Sequence, residues 1–349
     1  MDGESLASAQ ALFRDVARIR RLQIEAKSEA SVLPELLDLI ETRTLNYRLR
    51  EEVASAYGKL PNPEWSNKIR NELNATLCRS NDPLYLANTN VKLGRYVEAL
   101  PFYSCPELAT NLQILQENWS FVITALERER QRQRDAGAAH PLSNALLLNL
   151  ALAYWCTNDW RSCAVTLLHL RLPLAKPTWL SEGDVRTMLF VSAGIALDAP
   201  TLRFFAKADP LAQHFGVAAL VPSVCGDLAA LRAAVATLEF PPYAGRDSAL
   251  RALRARAGSV WLQLHSAVPL STALAELGVA SSDELVANLR EWQLPYDVDL
   301  VHGEIHLRSP ARRLALASAQ MHAVGETLAA EYRRDALVRM WSEHRHGAP

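Results

Sequence analysis

Glycine is scarce, 14 of 349 residues, and none of it forms a phosphate-binding loop, so nucleotide-binding folds of that kind are excluded. Cysteine is limited to Cys78, Cys105, Cys156, Cys163 and Cys225. The number is odd and no pair has C-x-x-C spacing, which excludes a disulfide framework or a zinc knuckle and leaves buried thiols in a reducing compartment. Charge of either sign is not in excess: 37 Lys+Arg stand against 38 Asp+Glu, so the chain as a whole has no pull on nucleic acid or anionic membrane. No apolar run is long enough to span a bilayer; the longest, Ala145–Trp155, is broken by Asn149. The first residues carry no basic-then-apolar secretory pattern, and the expectation is a soluble intracellular protein. Catalytic signatures are missing too. There is no G-x-S-x-G and no H-E-x-x-H, and the one H-x-H, His344-Arg345-His346, has no downstream aspartate to complete a hydrolytic zinc site. His302 and His306 have no cysteine near them. The sequence therefore predicts a non-enzyme with no catalytic residue, metal or cofactor.

What is present is helical periodicity. Apolar residues recur at i, i+3/i+4 and i+7 in Leu12, Val16, Ile19 and Leu22–Ile24, in Leu33, Leu36–Leu37 and Ile40, and in Leu146–Leu148, Leu150, Leu152 and Trp155. A degenerate repeat runs through them. Gly94-Arg95-Tyr96, Glu117-Asn118-Trp119, Asn158-Asp159-Trp160 and Gly226-Asp227-Leu228 each join a turn to a bulky residue. Apolar positions follow at +3 and +7: Ala99 and Tyr103, Val122 and Leu126, Cys163 and Leu167, Leu231 and Val235. Each turn is predicted to open the second helix of a hairpin. The unequal spacing argues for an irregular tetratricopeptide-like helical-hairpin array, whose stacked pairs form a protein-binding surface. The arginine-rich stretch Glu127–His140 mixes four arginines with three acids and is read as a solvated helix end running into a loop.

Residues 247–308 change character. A helix over Asp247–His265 has Leu250, Leu253, Val260, Trp261 and Leu264 on its apolar face. Val268-Pro269-Leu270 is extended. Ser271 is placed to cap a second helix carrying Leu274 and Leu277, which Gly278 ends. Ser281 and Glu284 form a capping box opening a third helix, with Leu285, Leu289 and Trp292 inward and Pro295 as its stop. Tyr296–Val301 and Glu304–Arg308 alternate in period two about His302-Gly303, a β-hairpin. Three helices and a hairpin make a winged helix. Its third helix carries Asp283, Glu284 and Glu291 against Arg290, and the following strand adds Asp297 and Asp299, which phosphates would repel. Protein pairing is expected instead, through an open hairpin edge at Val298, Leu300, Ile305 and Leu307. After Pro310 a long helix keeps an apolar stripe that includes Met321, Val324, Leu328, Leu337, Val338 and Trp341, expected to bundle with partner helices.

Helical repeats, a winged helix and a final helix resemble the layout of PCI-domain proteins, and the local sequence resembles the family of COP9 signalosome subunit 1. Arg18-Ile19-Arg20-Arg21-Leu22-Gln23-Ile24-Glu25-Ala26 is similar to that family's early R-L-x-R-L-x-F-I-A helix. Leu115–Val122 is similar to its L-Q-N-W-S-x-V element. Leu180–Val185 with Gly194–Leu197 is similar to its S-x-x-x-V … G-L-x-A-L stretch. The turn Val301-His302-Gly303-Glu304 leans toward a related proteasome-lid subunit. The resemblance implies a mainly α fold with a helical-repeat arm over 1–200 and a PCI module over 201–309. That module comprises a helical part, 201–246, and a winged helix, 247–309; a bundle helix and tail follow over 310–349. It implies a non-catalytic scaffold of a complex that removes a ubiquitin-like modifier from cullins. The implied partners are other PCI subunits and, indirectly, cullin–RING ligase components, in cytoplasm and nucleus. Membrane and nucleic acid are not expected partners.

Overall fold

A computed structural model describes residues 3–307 except 28, 60–61, 78–81, 104, 138–141, 173, 175–178, 239, 242, 244, 266 and 295. Over these residues the protein is mainly helical. It divides into two compact units, 1–257 and 258–349. Met321, Val324, Leu328, Leu337, Val338 and Trp341 lie outside the described residues, as do Pro295, Arg308 and the H-x-H at 344–346.

The first unit opens with α1 (Gly3–Glu25), whose apolar stripe is buried at Leu12, Phe13, Val16, Ile19 and Leu22. There follow α2 (Leu33–Arg43), α3 (Tyr47–Ala56) and α4 (Pro63–Leu77). Two hairpins come next, α5 (Pro83–Lys92) with α6 (Tyr96–Ala99) and α7 (Pro106–Leu115) with α8 (Trp119–Asp135). A third pairs α9 (Asn144–Cys156) with α10 (Trp160–Leu167). Helix α1 packs on α2, α5 and α7, so one amphipathic face backs elements far apart in sequence. Helix α9 is buried along nearly its whole length, consistent with its lack of a polar face.

Four helix-to-helix turns share one backbone geometry. Gly94, Glu117, Asn158 and Gly226 are left-handed, with φ of +74°, +55°, +61° and +95°. The next residue donates its N–H to a carbonyl five residues back: Arg95 to Asn90 (2.8 Å), Asn118 to Gln113 (3.0 Å), Asp159 to Tyr154 (2.9 Å), Asp227 to Pro222 (3.0 Å). This is a Schellman ending, and it satisfies the carbonyls that a helix end leaves bare. The same residue is the N-cap of the helix that follows, so one helix stops and its partner starts within three residues. Asp159 and Asp227 also accept from the N–H of Ser162 and Ala230 (3.0 and 2.8 Å). Ala99, Val122, Leu126, Cys163, Leu167 and Leu231 are buried as the repeat predicts. Tyr103 is buried too but lies beyond α6, which stops at Ala99 before the 3₁₀ turn Leu100–Phe102.

The arginine stretch is a helix end running into a turn, as expected: α8 stops at Asp135, and Arg128, Arg132 and Arg134 are exposed. Arg130 differs and is buried. Glu127 explains part of this: it accepts from Arg130 Nη1 (3.3 Å) and from the hydroxyl of Tyr154 on α9 (3.0 Å), tying the charged helix to its neighbour.

The unit continues through α11 (Glu182–Ala196), α12 (Ala199–Ala208), α13 (Pro210–His214), α14 (Val221–Val224) and α15 (Leu228–Ala236), and the division falls inside α16 (Arg246–Gln263). Gly194 on α11 lets α16 approach closely: a β-carbon there would stand 2.9 Å from Leu253 Cδ1.

The second unit holds the end of α16, then β1 (Ala267–Pro269), α17 (Leu270–Leu277), α18 (Ser282–Glu291), β2 (Tyr296–Asp299) and β3 (Glu304–Leu307). The sheet is antiparallel in the order β1-β3-β2. Its core gathers Leu262, Val268, Ala273, Leu285, Leu289, Tyr296 and Ile305. The Tyr296 hydroxyl donates to the Leu262 carbonyl (2.7 Å), fixing strand to helix.

Several expectations are corrected here. Leu264 is 66% exposed and Leu262, not assigned to the apolar face, is 0% exposed, because α16 ends at Gln263 and Leu264 falls in the turn after it. Ser271 caps nothing. Helix α17 begins one residue earlier, and the Leu270 N–H is bonded by the Gly303 carbonyl (2.7 Å) across the sheet. Glu284 does not close a capping box: Ser281 Oγ accepts from the Glu284 N–H (3.2 Å), while the Glu284 carboxylate reaches to the Ala280 N–H (3.0 Å). Helix α18 stops before Pro295, at a Schellman ending with Gln293 left-handed (φ +56°). The hairpin turn is longer than two residues, and Val301 belongs to it, 89% exposed, not to a strand.

Candidate interaction surfaces

Three segments singled out in the sequence meet at α1. Arg20 on α1 forms an ion pair with Glu117, the left-handed residue of the α7–α8 turn. Arg21, the next residue, places Nη1 2.7 Å from Asp184 Oδ2 at the start of α11. Asp184 has no exposed side-chain surface. Its Oδ2 also accepts the Ser181 N–H (2.6 Å) and Ser181 Oγ accepts the Asp184 N–H (3.0 Å), a complete capping box. Burial opposes the charge on Arg21, but the Asp184 carboxylate and the bond to Glu25 (2.9 Å) raise its pKa above the ordinary value. The charges are thus fixed by local helix chemistry at one end and by a long-range partner at the other.

A buried polar cluster adjoins this junction and was not legible in the sequence. Asn111 Oδ1 accepts from Asn149 Nδ2 (2.9 Å) and from Trp179 Nε1 (2.8 Å), and the Trp179 carbonyl accepts from the Tyr243 hydroxyl (2.9 Å). Asn149, the residue that interrupts the longest apolar run, is the only available hint. Burial, and then Asp184 nearby, push the Tyr243 phenol above its ordinary pKa.

The predicted hairpin edge is rearranged. Ile305 is 0% exposed in the core, and β3, which also carries Leu307, is the middle strand, paired on both sides. Val298 sits half-buried on β2, and Leu300 is 63% exposed in the turn. The outer strands are β1 and β2. Asp283, Glu284 and Glu291 on α18 are exposed beside a single exposed base, Arg290, as the sequence predicts.

The turn is organised by Asp299. Its Oδ1 accepts from the N–H of Val301 and of His302 (2.9 and 3.0 Å), and Oδ2 lies 2.7 Å from His302 Nδ1. The backbone bond from His302, its ring, and then the Val301 N–H hold the Asp299 carboxyl down to about 2, and Asp299 in turn raises His302. The Asp299 contribution is therefore present above about pH 4 and fades as pH falls toward its folded value; that of His302 is complete below about pH 6.5 and fades as pH rises past its folded value. A proton NMR titration is expected to give His302 a midpoint above 6.5 that returns toward it in Asp299→Asn. An unchanged midpoint in that variant would contradict the pairing.

Nucleophilic chemistry is not prepared at Cys156 or Cys163: burial, first, pushes both thiols up to about 12. Among the described residues no three of His, Cys, Asp and Glu are grouped to hold a metal ion, and no helix is long and apolar enough to cross a membrane. No family model matches the chain, and no curated protein matches it in sequence.

Proposed function

We propose that the chain is a non-catalytic scaffold subunit of the COP9 signalosome, built as an irregular tetratricopeptide-like array, a PCI winged helix and a C-terminal bundle helix. One observation carries the reading. The segments around Arg20–Arg21, Glu117 and Ser181–Asp184 are those that resemble the subunit 1 family, and they join each other through two ion pairs. Residues that resemble a family's motifs and also form one junction are better support than motifs matched in order alone.

Further support comes from the four identical hairpin turns, which suit stacked helix pairs. The second unit's helices and its β1-β3-β2 sheet suit a winged helix. Its acidic α18 favours a protein over a phosphate backbone as partner. The outer strands β1 and β2 would supply main-chain bonds to a neighbouring subunit. Partners would then be other PCI subunits and, through them, cullin–RING ligases in cytoplasm and nucleus. A proteasome-lid subunit is the second reading, favoured by the turn Val301-His302-Gly303-Glu304.

The bundling role is tested by polar substitution of Leu328, Leu337 and Val338 together. Incorporation into the native complex is expected to fall about tenfold or more, since each removes roughly 1–3 kcal/mol of apolar burial. Helical content of the free chain should change little. Unchanged incorporation would end the bundling role.

A further inference from the structure

A cleft of about 380 Å³ opens where α1, α3 and the α5–α6 turn come together. Four cations line it, Arg20, Arg48, Lys92 and Arg95, against one acid, Glu52. Arg20 is engaged by Glu117. Arg48, Lys92 and Arg95 are exposed and have no carboxylate partner among the described residues. Acids and bases are nearly equal in number over the chain, so three cations without a carboxylate partner on one concave surface are a local excess. Tyr47 lies at the same wall with the Arg70 guanidinium 4.8 Å from its ring centroid. Arg48, first, and Arg70 lower its phenol below the ordinary value, so the positive field reaches the wall.

The wall between the cations is not polar throughout. Leu49 and Leu115, both half-buried, also line the cleft over the buried Val16, Ile19 and Leu93, as does the backbone of the Gly94 turn. A free phosphate or an inositol phosphate would leave that apolar surface unused. A peptide whose acids alternate with an apolar side chain would use both.

We propose that this cleft is a docking site for an acidic peptide segment of a partner protein, with Arg48, Lys92 and Arg95 pairing its carboxylates and the half-buried Leu49 and Leu115 taking an apolar side chain. The site lies wholly in the first unit and does not depend on the scaffold assignment.

The test is fluorescence anisotropy with a labelled Asp-Glu-Leu-Asp-Glu-Leu-Asp-Glu peptide on the full chain. Binding is expected at about 0.05 M salt, weakening about tenfold by 0.5 M. The double change Lys92→Glu with Arg95→Glu is expected to weaken it about tenfold or more, and Arg48→Glu alone by about threefold. All three side chains are exposed, so the far-UV circular dichroism of the variants should match the parent; Lys92→Ala and Arg95→Ala replace any variant that fails this check. Replacing the two leucines of the peptide with serine should weaken it several-fold. No binding at low salt would overturn the proposal. So would binding indifferent to the cation changes, or displacement of the peptide by equimolar inositol hexakisphosphate or inorganic phosphate, which would mark a simple anion site.

Discussion

Ile305→Asp is expected to unfold the second unit. The side chain is fully buried at the centre of the core with Leu262, Val268 and Leu285, and its strand is bonded on both sides, to Val268 and Val298 in register. An aspartate there has no partner and must be desolvated or protonated, so the loss exceeds about 4 kcal/mol. Domains hold about 5–15 kcal/mol of stability and small ones sit at the low end, so a loss of that size leaves the unit little or none. Val298→Asp, half-buried on an outer strand, should cost about 1–2 kcal/mol, and Leu300→Asp in the exposed turn within about 0.5 kcal/mol. Hydrogen exchange over residues 258–307 reads the order directly. Equal effects at all three positions would contradict the assignment of β3 as the middle strand. The gradient also separates roles: lost assembly in Ile305→Asp reports a lost fold, whereas lost assembly in Leu300→Asp with protection intact reports an interface.

Arg21→Ala is expected to cost about 2–3 kcal/mol, because it strands the buried Asp184 carboxylate without its cation. Asp184→Asn removes the charge along with the pair and keeps an oxygen for the Ser181 N–H, so it should cost less. In the Asp184→Asn background, Arg21→Ala should then add under about 1 kcal/mol. The resulting coupling of about 2 kcal/mol is read from urea midpoints in a double-mutant cycle. Strictly additive losses would mean that the ion pair is incidental to the junction of α1 and α11. The partial exposure of Arg21 keeps the figure below that of a fully buried pair.

The two experiments bear on different levels of what the sequence discloses. Local signals were legible because they need only neighbouring residues. The four turns were found from Gly94, Glu117-Asn118, Asn158-Asp159 and Gly226, and all four take the left-handed start that such turns require. Gly278 ends α17 as read, with φ +65°. Long-range bonds were not legible. The hairpin of β2 and β3 was read from alternation, but the third strand is only Ala267–Pro269, too short to alternate, and its pairing turns β3 from an edge into the centre. Ser271 is no cap for the same reason: the Leu270 N–H donates to the Gly303 carbonyl across the sheet, which leaves that helix start no need of a local one. Leu264 carried the right chemistry one residue past the end of its helix.

At the junction the sequence disclosed the pieces and not their meeting. Ser181 and Asp184 have capping-box spacing, and Arg20 and Arg21 stand together in a helix. Nothing local says that Arg21 faces Asp184 or that Arg20 faces Glu117. The Asn111–Asn149–Trp179 cluster shows the converse. A polar residue inside an apolar run signals a buried partner, since an unpaired amide there would cost about 1–3 kcal/mol; the sequence does not say which residue the partner is.

The scaffold assignment meets its most direct test in affinity purification of the tagged full chain from the cells that make it, with mass spectrometry of what comes with it. The account predicts stoichiometric PCI subunits, a separate metalloprotease subunit, and cullins in lesser amount. Recovery of proteasome ATPases in their place, or of the chain alone as a stable monomer, would contradict it.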